Sequence, residues 1–164
     1  MAMSERRESA GVIAPPPLIA LAVLVAGVAL DRLLPAYVLR VLLSLTERIS
    51  IGVVLIAAGG AFGLSAIWAF RAAHTHVEPW KPALALVTTG IFRWLRNPMY
   101  VGLALVVAGI GVALASDWTL VMLVPGALIL HFGVVKREER YLAAKFGDAY
   151  RRYKEAVPRY GWPG

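Results

Sequence analysis

The residues best suited to chemistry lie in two polar clusters at the ends of one apolar hairpin. The first is Arg96-Asn97-Pro98-Met99-Tyr100-Val101-Gly102. The second opens with Glu138-Glu139 and runs through Phe146-Gly147, Tyr150 and Tyr153 to Val157-Pro158-Arg159. Two acids beside a bilayer segment are costly to keep, so they are candidates for a working site. A carboxylate there suits an ammonium group or a pair of hydroxyls. Phe92, Met99 and Tyr100 offer an aromatic and aliphatic slot for a flat ring. A helix starting at Pro98 presents free N–H groups to an anion. Plainer readings stand beside these. Glu138 and Glu139 can pair with Arg137, Arg140 or Arg96. Arg96 can anchor to lipid headgroups, and Arg159 can cap the C-terminal fold. Spacing alone does not choose between the two sets.

The elements that must position these clusters are membrane helices. Of the 164 residues, 59% are hydrophobic and 16% charged, which is more apolar than a soluble domain. A spanning helix needs roughly 20 apolar residues. Four segments come close: Pro17 to Leu34, Ile49 to Phe70, Met99 to Ala115 and Trp118 to Val135. The expected fold is an all-α integral membrane protein of about four transmembrane helices. A C-terminal amphipathic cytoplasmic helix follows them. With the N-terminus in the cytoplasm, every Lys and Arg except Arg32, Arg40 and Arg48 falls inside. That agrees with the positive-inside rule for four spans with both termini cytoplasmic. The net charge of +7 is assigned to anionic lipid headgroups rather than nucleic acid, because the bases flank spans. The lack of cysteine excludes disulfides and thiolate chemistry within this chain. Pro15-Pro16-Pro17 and a poor cleavage context favour a retained first span over a signal peptide.

Residues 1–14 are expected to lack order, and 1–164 to form a single domain. A short interfacial helix is expected over Ala36 to Leu45. Gly59 and Gly63 make a small-xxx-small pair suited to intramolecular helix packing. Arg71 to Asn97 contains Pro79, Pro82 and Gly90 and cannot be one helix; long irregular loops are often functional. Pro98 fits the first turn of the third span, Ser116-Asp117 a tight turn, and Pro125 a kink in the fourth span. The hairpin then returns the chain to the same face, bringing the two clusters together. At 100° per residue, Leu142, Phe146, Ala149 and Tyr153 share one stripe, with Glu138 and Glu139 near it. Arg137, Arg140, Asp148 and Arg151 lie opposite. His74 and His76 lie two apart in a loop and His131 in the fourth span, with no further ligand near either, so no metal site is expected. Trp68, Trp80, Trp94, Trp118 and Trp162 read as interfacial anchors.

From Leu86 to Arg159 the sequence resembles the isoprenylcysteine carboxyl methyltransferase and phospholipid methyltransferase superfamily, in its broad bacterial branch. The pieces are Leu86-Val87-Thr88-Thr89-Gly90-Ile91-Phe92, the Arg-Asn-Pro-Met-Tyr element, the Glu-Glu pair, Phe146-Gly147, Tyr150, Tyr153 and Val157-Pro158-Arg159. The resemblance makes residues 86–159 the catalytic core and implies S-adenosyl-L-methionine as methyl donor. It implies cofactor contacts from Leu86, Val87, Phe92, Asn97, Pro98, Met99, Tyr100 and Glu138. Arg96, as an acceptor-binding cation, and Glu139, as a base for an amine, are the catalytic candidates. The resemblance implies as acceptor a lipophilic small molecule entering from the bilayer, such as the carboxylate of an isoprenylcysteine-like or other small lipophilic acid. Alternatives are a phospholipid or amine N-methyltransferase and a non-enzymatic lipid-binding membrane protein. A nicotinamide-dependent membrane reductase lacks its Gly-rich fingerprint here. Two departures stand out. Asn97 replaces a His common among relatives. Val134 stands where the eukaryotic prenylcysteine enzymes carry a substrate-binding Arg. Membrane lipids are the expected partners, nucleic acid is not, and the bacterial inner membrane is the expected location.

Overall fold

A computed structural model describes residues 9–161. Arg6 and Arg7, which count among the bases placed inside, and Trp162, read as an anchor, lie outside the described residues. The elements run α1 (Pro16–Leu33), α2 (Val38–Leu42), α3 (Leu45–Ala72), a 3-10 turn (Gly90–Arg93), α4 (Pro98–Leu114), α5 (Asp117–Leu130), a π-helical segment (His131–Val135) and α6 (Lys136–Ala156). The protein is an all-helical integral membrane protein. α1, α3 and the continuous run from Asp117 to Ala156 are long and apolar enough to span a bilayer. α4 has 17 residues, about 25 Å of helix. It is the central helix, packed along α3 and touching α1 and α5. The flanks turn apolar side chains outward, with Leu18, Leu21 and Val25 on α1, Val53, Val54 and Leu64 on α3, and Val121, Val124 and Leu128 on α5. In lipid such a surface is at home, provided each helix satisfies its own backbone.

Local chemistry sets the ends of these helices. Pro16 and Pro98 occupy first turns, where a missing N–H leaves no bond unmade. Ser44 and Glu47 form a capping box. The Ser44 hydroxyl accepts from the Glu47 N–H at 3.3 Å, and the Glu47 carboxylate accepts from the Ser44 N–H at 2.8 Å. That box starts α3 at Leu45, ahead of the apolar run from Ile49, and confines the interfacial helix to Val38–Leu42. The carboxylate of Asp117 accepts from the N–H groups of Val38 and Leu39, each at 3.0 Å, so α2 is capped from α5. Ala115 is left-handed at φ 53° and Ser116 caps α5, which makes the tight turn. Ser116 also hydrogen-bonds Asp31, and Trp118 Nε1 donates to the Leu34 carbonyl at 2.6 Å.

The α3–α4 contact rests on glycines seven residues apart on each helix. A Cβ on Gly59 would lie 2.5 Å from the Gly102 carbonyl oxygen, and one on Gly52 would lie 2.8 Å from that of Gly109. The converse distances are 2.6 Å and 2.7 Å. The working pair on α3 is therefore Gly52 and Gly59, whereas a Cβ on Gly63 would meet open space. A seven-residue spacing holds the same face of a helix over two turns. Backbones this close gain dispersion contacts that side chains would prevent. Gly59→Leu is expected to push α4 off α3 and cost roughly 1–3 kcal/mol. Thermal unfolding in detergent reads this as a lowered midpoint, with Gly63→Leu as the neutral comparison.

Two departures from regular helix aim the second cluster. The π segment widens the turn between α5 and α6, a feature frequent at functional sites. Gly147 then adopts φ 54°, ψ −126° inside α6, a conformation that side chains disfavour. The arm beyond it is re-aimed, so the expected stripe is corrected: Ala149 is exposed and Tyr150 is the buried residue, at 3% exposure. The helical wheel fails there because it assumes one unbroken axis. The expected disorder of residues 1–14 is corrected for its described part. The Ile13 N–H donates to the Gly133 carbonyl at 3.2 Å, and Arg137 donates to the Gly11 carbonyl at 2.9 Å. Gly133 makes room for the Ile13 side chain, which sits where a Cβ would be.

Candidate functional site

The hairpin brings the two clusters into direct contact, and the backbone joins them first. The N–H of Arg96 donates to the Pro158 carbonyl at 2.9 Å, and that of Asn97 to the Arg159 carbonyl at 3.2 Å. The Asn97 side-chain amide donates to the same Arg159 carbonyl at 3.3 Å, and Arg96 Nε donates to the Val157 carbonyl at 2.9 Å. Val157-Pro158-Arg159 is thus laid along the residues that open α4. Glu139 completes the join. Its Oε1 accepts from Arg96 Nη1 at 2.6 Å and from Arg159 Nε at 2.7 Å, while Oε2 accepts from Arg159 Nη2 at 2.8 Å.

These side chains are largely withdrawn from solvent, at 8% exposure for Arg96, 12% for Glu139 and 29% for Arg159. Burial alone would raise the Glu139 carboxyl. The hydrogen bonds from Arg159 and the charges of Arg96 and Arg159 outweigh it and hold the group below the usual carboxylate range. The expectation of Glu139 as a base therefore meets both oxygens already engaged by guanidinium donors. Arg96 spends Nε on the Val157 carbonyl and Nη1 on Glu139 and the Tyr150 hydroxyl.

Glu138, one residue away, is in the opposite situation. Tyr100 donates to its Oε2 at 2.7 Å, and no cation pairs with it among the described residues. Burial raises its carboxyl to about 7; the Tyr100 hydrogen bond opposes that shift and the charge of Glu139 adds to it. Glu138 is thus a carboxylate lacking a positive partner, turned into a cavity.

That cavity holds about 880 Å³ including its open mouth. Its lining contains every residue named above as a cofactor-binding or catalytic candidate: Leu86, Val87, Phe92, Arg96, Asn97, Pro98, Met99, Tyr100, Glu138 and Glu139. Val87 and Phe92 are buried with Ala66 and Ala69 of α3, and Phe70 meets Phe92 edge-on at 5.1 Å. This cluster fixes the apolar floor. Tyr153 donates to the Phe92 carbonyl at 2.7 Å, tying the floor to α6. Spacing did not identify the outer wall, which is the loop around His76, Glu78, Lys81 and Ala83 together with Tyr141. The Thr75 hydroxyl accepts from the N–H groups of Leu84 and Ala85 at 2.8 and 3.3 Å, and the Tyr141 hydroxyl accepts from that of Ala83 at 3.0 Å. Tyr141 lies three residues after Glu138 and so shares its helix face, a signal the sequence did carry. Among the described residues no three His, Asp or Glu side chains gather as a metal site.

A second cavity, about 1490 Å³ including its open side, lies between α1, α4 and α5. Its walls are mostly aliphatic, and Tyr100 lines both cavities. Val134 is fully buried and lines neither. A ligand with a cationic or hydroxyl-bearing part and a flat apolar part fits the first cavity, and an apolar chain fits the second.

The sequence profile of the phospholipid methyltransferase family matches residues 47–149. The Protein-S-isoprenylcysteine O-methyltransferase of Schizosaccharomyces pombe is 35% identical over 74 residues, which are 44% of this chain and 31% of that protein. The chain thus spans less than a third of the length of that relative. A Haemophilus influenzae protein described as uncharacterized is 36% identical over 62 residues, 38% of this chain and 98% of its own length. No solved structure matches. The family profile runs from the first turn of α3 through the first polar cluster and the Glu138-Glu139 pair as far as Ala149, more than half of the sequence, and the chain belongs to the phospholipid methyltransferase family.

Proposed function

We propose that this protein is an S-adenosyl-L-methionine-dependent methyltransferase of the membrane, acting on a lipophilic acceptor. The observation that carries the reading is Glu138, a carboxylate with no cation beside it, held by Tyr100 in a cavity with an aromatic floor. The residues present fit the donor. Glu138 suits its ammonium or ribose hydroxyls. Val87, Phe92 and Met99 suit the adenine ring, and the free N–H groups that open α4 suit its carboxylate. When bound, this cofactor supplies a methyl group on a positively charged sulfur. The chain's own task is to hold both reactants in line and keep water out. Tyr100 stands between the two cavities, where an acceptor's head would approach the donor side while its chain lies among aliphatic residues.

The carboxylate acceptor suggested by the resemblance gets no cation from the second cavity's lining. Arg96 and Glu139 act in this reading as positioning residues that lock the C-terminal segment against α4. The donor cavity is lined by Lys81 and Arg96, from the segments that carry most of the Lys and Arg, which the positive-inside rule assigns to the cytoplasm. Calorimetry of the purified protein with S-adenosylhomocysteine tests the proposal. Saturable 1:1 binding is expected, and a folded sample that shows none sinks it.

A further inference from the structure

Within the aliphatic second cavity sits one imidazole, His131, where the π segment begins. Its Nδ1 lies 2.9 Å from the Tyr160 hydroxyl. Its ring meets Phe132 edge-on at 4.9 Å. Tyr160 follows Arg159 in sequence, and Glu139 pins Arg159 with two hydrogen bonds. The ion network therefore positions Tyr160, and Tyr160 orients the imidazole. The other ring nitrogen, Nε2, has no hydrogen-bond partner among the described residues. Among the described residues no Lys, Arg, Asp or Glu lines this cavity. An ammonium head would enter it without a counter-charge, at a desolvation cost of several kcal/mol, and a carboxylate, already deprotonated, would have no proton to give His131. A neutral head with a proton to lose enters freely.

We propose that His131 is a catalytic residue of the methyl transfer, accepting the proton of a neutral protic head, a phenol or thiol on an apolar body, bound in the second cavity. The proposal rests on the donor reading above. The step balances. The acceptor's O–H or S–H bond breaks and its proton passes to Nε2 of His131. The freed lone pair forms the new bond to the methyl carbon, the carbon–sulfur bond of the donor breaks, and its electrons leave with the now neutral sulfur. The imidazolium then loses its proton to water. Tyr160 is a positioning residue, holding Nδ1 so that Nε2 faces the acceptor.

The test uses the full chain in nanodiscs with labelled S-adenosylmethionine and two probes of equal tail, 4-dodecylphenol and 4-dodecylbenzoic acid. The phenol is expected to be methylated at least about tenfold faster than the acid. His131→Ala should lower kcat on the phenol about a hundredfold, within the usual range for a proton-transfer group. It should also weaken phenol binding in the absence of donor, measured by calorimetry, while leaving S-adenosylhomocysteine affinity unchanged. Tyr160→Phe should lower kcat about tenfold with KM for the phenol nearly unchanged, a split that loss of folded protein does not give. The inference is overturned if His131→Ala keeps its kcat, if the acid is methylated as fast as the phenol, or if neither probe is methylated by protein that binds S-adenosylhomocysteine. Failure of S-adenosylhomocysteine to bind overturns the donor reading itself, and this inference with it.

Discussion

Glu138→Gln is expected to weaken S-adenosylhomocysteine binding by about one to two orders of magnitude, the size of a lost charge-assisted hydrogen bond. The ligand-free protein should be no less stable, and there lies the diagnostic contrast. In the fold the carboxyl of Glu138 is raised to about 7 by burial, so the bundle disfavours its ionised form. A group whose folded value is raised weakens the fold increasingly as pH climbs from its unfolded value towards 7. A neutral amide removes that penalty and still accepts the Tyr100 hydroxyl. At about pH 8 the thermal midpoint of the variant should therefore equal or exceed that of the wild type, while the shift induced by ligand disappears. The same value predicts the pH profile. Above about 7 the carboxylate is ionised and favours the ligand's ammonium or hydroxyls. Below it, wild-type affinity should fall by up to about tenfold per pH unit, and the Gln variant should show a flat profile. Titrations between about pH 5.5 and 8.5 check this, and parallel wild-type and variant profiles would assign the site to another carboxylate.

The second large effect belongs to Glu139. Glu139→Ala strands two guanidinium groups, one of them only 8% exposed, in a setting where removal of one partner from a buried ion pair costs roughly 3–5 kcal/mol. The C-terminal segment should loosen, since Arg159 is held to Glu139 by two hydrogen bonds. Limited proteolysis should cut after Ala156, and the thermal midpoint should drop. Glu139→Ala with Arg159→Ala should recover part of the loss, because one stranded cation goes with it, and the two effects should be strongly non-additive. A base would behave otherwise: Glu139→Gln would then abolish turnover and leave stability and proteolysis unchanged. The lowered carboxyl of Glu139 gives the sign of its pH dependence. Its contribution is present above the usual carboxylate range and is lost only as pH falls through the depressed value.

Much of the site was legible because its residue types are expensive where they stand. Acids beside an apolar span, an Asn-Pro opening a helix, and aromatics at a membrane end each point to use rather than to packing. All of them line one cavity, since a short turn at Ser116-Asp117 sends the chain straight back. The roles of the two acids were not legible. Glu138 and Glu139 are adjacent and chemically alike, and only the positions of Arg96 and Arg159 separate a paired carboxylate from a lone one.

The sequence by itself determined the membrane class, the helix count and the end of the bundle that carries the chemistry, because those follow from local hydropathy, prolines and caps. The tertiary structure alone decided the rest. It selected Gly52 and Gly59 against Gly109 and Gly102, put Tyr150 rather than Ala149 inside, laid the loop wall over the cavity, and brought Tyr160 to His131. Each of these depends on a backbone direction set at one point, such as Gly147 or the π segment, and on partners distant in sequence. Neither periodicity nor composition records where a bend sends the chain.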